Sequence, residues 1–169
     1  MPDLRKLQWG NLWWLLLTLL VVVLDQWSKH AIEAALRYGE VVPVLSFFNL
    51  TLAYNPGAAF SFLADAGGWQ RWFFTAVAVL ASVLILAWLL TLKGERLVAA
   101  ALALVLGGAL GNLYDRLAYG HVVDFLDFHW RASHFPAFNI ADSAITLGAI
   151  ILILDMFVHR DESGGKADD

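Results

Sequence analysis

His121-Val-Val-Asp-Phe-Leu-Asp-Phe-His-Trp130 and, after a short polar passage, Phe138-Asn-Ile-Ala-Asp-Ser-Ala-Ile-Thr146 lead directly into the last long apolar run of the chain. Asp124 lies just before that run and Asp142 just inside it. An ionised carboxylate placed there loses hydration and needs a partner or a proton. This stretch therefore places a polar site against a membrane-spanning segment, and the rest of the chain must supply what holds the two carboxylates.

The composition fits that setting. Of 169 residues, 60% are hydrophobic and only 15% charged, with 8 Trp and 11 Phe, too apolar for a soluble domain of this length and typical of a polytopic membrane protein. Cysteine is absent, which excludes a disulfide framework, a thiolate nucleophile and a Cys-type metal site. The formal charge of -4 is mostly carried by the tail, where residues 161–169 hold four carboxylates against Lys166. What remains is near neutral, so no basic nucleic-acid surface is present and no nucleic-acid partner is expected.

Four apolar runs approach the roughly 20 residues needed to cross a bilayer, at about 11–30, 72–92, 97–113 and 140–158. Arg5 and Lys6 precede the first run, but no small-residue cleavage site follows it, so it is read as an uncleaved signal anchor. The expected fold is an all-α integral membrane protein of one domain, 1–169. It has four transmembrane helices, outer loops at 31–71 and 114–139, and a polar cytoplasmic tail at 159–169.

With both termini cytoplasmic, the inner side holds Arg5, Lys6, Lys93, Arg96, Arg160 and Lys166 against Lys29, Arg37, Arg71, Arg116 and Arg131 outside, a small positive-inside excess. This orientation puts Asp124 and Asp142 on one face. From Ser46 to Tyr54, apolar residues alternate with Asn49, Thr51 and Ala53 at the period of a half-buried strand, and Asn55-Pro-Gly57 then turns the chain. Residues 58–63 are expected to return as a second strand, making a small extracytoplasmic β-sheet in the first outer loop. Its aromatics also suit an interfacial belt.

The third run contains Gly107-Gly-Ala-Leu-Gly111, a small-xxx-small spacing that admits another helix backbone. It ends in Asn112-Leu-Tyr-Asp-Arg116, whose polar side chains share a face at i, i+3 and i+4. Asn139 has the character of a helix N-cap, with Asp142 at the capping-box position. Asp124 has an equally plain reading as an interfacial carboxylate on an adjustable loop. Brought together, the two cannot both ionise easily in a low dielectric, and they become a proton-sharing pair able to activate water against a carbonyl.

Other chemistries compete. His121, Asp124, Asp127, His129 and His134 have zinc-ligand character, but their spacing matches no known site. Lys29 with Ser28, Ser61 or Ser143 has the elements of a serine–lysine hydrolase, although Asp25 and Lys29 at i, i+4 make a simpler ion pair. A small proton or lipid transport or binding protein could use Asp124, Asp142 and Asp155 without catalysis. Four spans with no inverted repeat argue against a transporter.

Five blocks together resemble the bacterial lipoprotein signal peptidases, also called signal peptidase II or prolipoprotein signal peptidase. They are Asp25-Gln-Trp-Ser-Lys29, Asn55-Pro-Gly-Ala-Ala-Phe-Ser61, Gly108-Ala-Leu-Gly-Asn-Leu-Tyr-Asp-Arg116, Val122-Val-Asp-Phe125 and Phe138-Asn-Ile-Ala-Asp-Ser143, in the family's order. Pro56 within the Asn-x-Gly turn is the one small departure.

The resemblance implies a membrane aspartic endopeptidase that removes the signal peptide of diacylglyceryl-modified prolipoproteins just before the lipidated cysteine. Asp124 and Asp142 would be catalytic. Asn55, Asn112, Arg116 and Asn139 would bind substrate, with Asp25, Lys29 and Asp115 in support. It implies no metal or organic cofactor, a multi-pass location in the bacterial inner membrane with the site facing the periplasm, contact with membrane lipid, and function as a monomer. The stretch between the aspartates is expected to control substrate access.

Overall fold

The computed structural model describes residues 8–57 and 69–164. A short 3-10 turn (Trp9–Trp13) leads into α1 (Trp14–Ala35). Then follow β1 (Val41–Leu45), β2 (Phe48–Asn55), α2 (Trp69–Leu89), α3 (Arg96–Ala118), β3 (Val122–Trp130), β4 (Ser133–His134) and α4 (Ile140–Gly164). Among the described residues, four helices are long and apolar enough to cross a membrane, those of α1 to α4.

The bundle is organised around α3, which packs against each of the other three helices. Its sequence explains why. Ala99, Ala101, Ala103, Gly107, Gly108 and Gly111 are all buried and leave room for neighbouring backbones. A Cβ on Gly107 would meet the Val21 side chain of α1 at 2.7 Å, and one on Gly111 would meet Asp25 Oδ2 at 2.6 Å. The other three helices turn large apolar side chains such as Leu16, Leu20, Leu84 and Leu154 outward, which suits hydrocarbon on that side. Thr18 Oγ1 donates to Ala103 O at 3.0 Å across the α1–α3 seam, and Asn11 Nδ2 donates to the Leu89 and Leu92 carbonyls at the end of α2.

The four strands form one antiparallel sheet in the order β1-β2-β3-β4. β2 pairs Ala53 with Asp124 and Asn55 with Val122, and the register slips between Leu50 and Ala53. β1 is one edge, with all five of its residues at least partly open to the surroundings, and it carries Pro43, a residue confined to edges because it cannot donate to a ladder.

The sheet differs from the expected one. The partners of β2 are β1 and β3, and the return strand expected at 58–63 lies outside the described residues. The stretch 114–139 is not an adjustable loop: α3 continues to Ala118, and Asp124 is the third residue of β3. The reason is burial. Val122, Val123, Asp124 and Phe125 are all buried, so the alternation that marks a half-buried strand is missing. The helices also run beyond the apolar runs, with α1 reaching Ala35 and α3 taking in Asp115 and Arg116.

Candidate active site

Three element ends converge beneath the sheet: the C-terminal parts of α1 and α3 and the N-terminus of α4. Asn139 is the cap of α4. Its Oδ1 accepts the Asp142 N–H at 2.9 Å, satisfying one of the free donors of the first turn. The capping box is one-sided, because Asp142 Oδ1 accepts from Asn112 Nδ2 at 2.8 Å.

Once the Asn139 carbonyl faces its own helix, its amide nitrogen must face the other way. Nδ2 donates to Asp124 Oδ1 at 2.7 Å, and also lies 3.2 Å from Val123 O and from Asn112 Oδ1. Asn55, the last residue of β2, donates to the second Asp124 oxygen at 3.1 Å. The two aspartates are therefore linked through the amides of Asn112 and Asn139.

Deeper in the bundle, Lys29 Nζ lies 2.7 Å from Asp25 Oδ2 and 2.7 Å from Asp115 Oδ2, all three side chains being almost fully buried. Asp25 Oδ1 accepts the Ala141 N–H at 2.9 Å, tying α1 to the first turn of α4. Lys29 also donates to Asn112 Oδ1 at 3.0 Å. An ammonium can only donate, so Lys29 fixes which end of the Asn112 amide faces inward. That leaves its nitrogen pointing at Asp142.

Asp124 is 4% exposed, and its pKa is pushed up to about 7. Burial is the main cause and the charge of Asp142 the second; the Asn55 bond, the Lys29 charge and the Asn139 bond oppose them. Near neutral pH this carboxyl therefore retains a proton that an exposed aspartate has already lost. Further along β3, Asp127 behaves in the opposite way. Burial works against its charge, but bonds from Asn49 and His134 and the nearby His134 and His129 charges outweigh it and hold Asp127 below the ordinary value. Asn49 Nδ2 lies 2.8 Å from Asp127 Oδ2, and His134 Nδ1 lies 2.8 Å from Asp127 Oδ1.

All nine residues singled out in the sequence thus lie in or beside one network, with Arg116 at its edge. Arg116 Nη1 donates to Asn112 O at 3.2 Å, and among the described residues Nε has no hydrogen-bond partner. Asp142, Asp124 and Asp115 act on its charge, yet none of them pairs with it within 4.0 Å.

The competing constellations do not assemble. No group of three or more metal-binding side chains converges among the described residues. The Ser28 and Ser143 hydroxyls are bonded to the backbone carbonyls of Asp25 and Asn139, and Ser61 lies outside the described residues.

Two participants were not singled out from sequence. Gln26 Nε2 donates to Asp115 Oδ1 at 2.8 Å; its place between Asp25 and Lys29 was the available signal. Arg71 donates through Nε to Arg116 O at 2.7 Å and through Nη2 to Leu117 O at 3.2 Å. It satisfies the terminal carbonyls of α3 from another helix, and nothing local in the sequence marks that contact.

Two clefts open at Asp142. One, of about 520 Å³, is lined by Phe135, Phe138 and the Ser143, Thr146, Leu147 and Ile150 face of α4. The other, of about 270 Å³, runs between α2, α3 and α4 with Asn112, Arg116 and Asp142 at its polar end.

Comparison with known proteins gives a consistent result. Residues 17–158 match the family model described as Signal peptidase (SPase) II. The lipoprotein signal peptidase of Cellvibrio japonicus (strain Ueda107) is 57% identical over 154 residues, covering 90% of this chain and 91% of that protein. The lipoprotein signal peptidase of Pseudomonas fluorescens is 58% identical over 165 residues, 96% of each. Two solved structures of bacterial membrane enzymes, determined by the in meso method, superpose with TM-scores of 0.78 and 0.74 at 31% and 32% identity. They cover 97% and 89% of this chain and 96% and 95% of their own.

Proposed function

The chain belongs to the signal peptidase II family of membrane proteases, and on that footing we propose that it is an aspartic endopeptidase with Asp124 and Asp142 as its catalytic pair. The observation that carries this reading is the linkage of the two carboxylates through Asn112 and Asn139, with Asp124 pushed up to about 7 by burial and by its partner. A pair that shares a proton near neutrality is what water-mediated peptide hydrolysis requires.

In the reaction, ionised Asp142 takes a proton from water, and the hydroxyl oxygen bonds to the scissile carbonyl carbon. Asp124 gives its proton to the carbonyl oxygen. The tetrahedral intermediate collapses with rupture of the C–N bond, as the leaving nitrogen takes the proton held by Asp142 and a hydroxyl of the intermediate returns its proton to Asp124 as the carbonyl re-forms. Asn55 and Asn139 keep Asp124 in place, Asn112 does the same for Asp142, and the guanidinium of Arg116 holds substrate oxygens. Lys29, Asp25 and Asp115 keep the Asn112 amide in its working orientation.

The substrate is a prolipoprotein, cut just before its diacylglyceryl cysteine. Its acyl chains and signal helix stay in the bilayer, which confines the scissile bond to the membrane interface. The protein works as a monomer in the bacterial inner membrane, surrounded by lipid, with both termini cytoplasmic and the site on the periplasmic side. The chemistry uses side chains and water, with no cofactor.

The test is cleavage of a lipidated precursor peptide by the detergent-solubilised protein. Asp124→Asn and Asp142→Asn are each expected to reduce the rate by about a thousandfold or more. Near-normal cleavage by either variant, or abolition of wild-type activity by a metal chelator, contradicts the aspartic mechanism.

A further inference from the structure

The last turn of α3 leaves backbone carbonyls that its own helix cannot satisfy. Asp115 O accepts the N–H groups of Tyr119 and Gly120 at 2.8 and 3.2 Å. The next two carbonyls are both taken by one side chain from another helix. Arg71, in the first turn of α2, donates to Arg116 O through Nε at 2.7 Å and to Leu117 O through Nη2 at 3.2 Å. A guanidinium presents those two N–H groups in a fixed planar fork, which an ammonium cannot do, and a cation at a helix C-terminus also meets the favourable end of the dipole.

Both sides of this contact are shaped for it. At Gly120, where φ is +84°, a Cβ would meet Arg71 Nη1 at 3.0 Å, so the chain leaves α3 through a residue that spares the fork. Gly57, at φ +105°, lets the turn carrying Asn55 close on α2: a Cβ there would meet the Phe74 ring at 3.0 Å and Gln70 Cβ at 3.4 Å. The first turn of α2 is thus seated against a turn that is itself bonded to Asp124 through Asn55.

Arg116 is the residue that depends on the fork. Its backbone lies in the turn that Arg71 closes, and its guanidinium stands 5.7 Å over the ring of Phe74, also from the start of α2. Among the described residues, the only hydrogen bond of its side chain is to Asn112 O. Asn112, one turn deeper, is held instead by Lys29 and Asp142.

We propose that Arg71 is a positioning residue for the peptide cleavage: by closing the last turn of α3 from α2, it sets where the Arg116 guanidinium meets the substrate, and it acts through Arg116 alone. This rests on the peptidase reading above, in which Arg116 holds substrate oxygens. A plain helix cap would contribute stability only, whereas a positioning residue contributes to substrate affinity and leaves the proton chemistry of the aspartates alone.

The experiment measures kcat and KM on a lipidated precursor peptide. Arg71→Met is expected to raise KM by about tenfold, the worth of one charge-assisted hydrogen bond, with kcat within about twofold of the wild type and the alkaline limb of the pH profile unmoved. Arg71→Lys, which keeps the charge and loses the fork, should give a KM between the two. Arg116→Met should lower kcat/KM further than Arg71→Met does, and adding Arg71→Met to it should change the value by less than about twofold, because a residue that acts through Arg116 then has nothing left to position.

A lower kcat at unchanged KM, which is what a smaller folded fraction produces, overturns the assignment, and so do losses that multiply in the double variant. Should Arg71→Met fail to accumulate in the membrane, Arg71→Lys decides: a raised KM supports the assignment and an unchanged one overturns it. Failure of the unsubstituted enzyme to cut any lipidated peptide would instead bring down the peptidase reading itself.

Discussion

Asp124 and Asp142 belong to one network but are held by different kinds of scaffold. Asp124 stands on a strand, covered by the sheet, and both of its oxygens accept from neutral amides. Asp142 stands in the first turn of a helix, where the free N–H groups and the positive end of the dipole favour an anion. Behind it lies a buried assembly of charges, Asp25, Lys29 and Asp115, which reaches it through Asn112. The strand side thus retains a proton by excluding water, and the helix side supports charge with charge. Equivalent side chains acquire different tasks from the elements that carry them.

The helix side should be the more fragile. Lys29→Met leaves Asp25 and Asp115 buried without a counter-ion, and the expected cost is about 3–5 kcal/mol of stability. Thermal unfolding in detergent measures it; an unchanged midpoint would show that the helix side does not depend on its buried charges.

The strand side should respond to pH instead. Folded Asp124 keeps its proton up to about pH 7, whereas the unfolded carboxyl has released it above 3.8. Between these values the folded state binds more protons, so stability falls as pH rises through that window. Asp124→Asn removes this contribution, worth up to about 1.4 kcal/mol per pH unit. The variant should gain on the wild type as pH rises from 4 to 7. Identical pH profiles of unfolding would remove the distinction between the two sides.

The smallest effect tests the same proton. The Asn55 bond favours the charged form of Asp124, so Asn55→Ala should raise the pKa further. The alkaline limb of kcat/KM should move upward by roughly 0.5–1 pH unit, the worth of one hydrogen bond. A downward move would place the working proton elsewhere.

Much of this could be read before the structure, for identifiable reasons. Four spans were legible because apolar length is a local property. Asp142 and Asn139 were legible as a helix start because capping chemistry lies within four residues. Asp25 and Lys29 were legible as a pair because helical spacing places them together, and the SPase II motifs brought the remaining site residues into view.

Strand β3 was hidden. Its partner in β2 lies about seventy residues away, and its leading residues are buried on both faces, so neither loop-like polarity nor strand-like alternation is present. The role of Lys29 in orienting the Asn112 amide was hidden as well, because it depends on a contact between helices. Arg71 was legible only as a charge, since the carbonyls it satisfies belong to another helix.

The ion pair within α1 bears on how the chain is made. As the ribosome delivers its helices in order, α1 reaches the bilayer long before α3 exists, carrying two groups that hydrocarbon rejects. Because Asp25 and Lys29 lie one turn apart and meet at 2.7 Å, α1 can cross with its own neutraliser. Asp115 and Asn112, arriving later with α3, then find a dipole already waiting in the membrane. The residues that hold the Asn112 amide in the finished site thus also lower the cost of burying α1, because a pair one turn apart is cheaper in lipid than either charge alone.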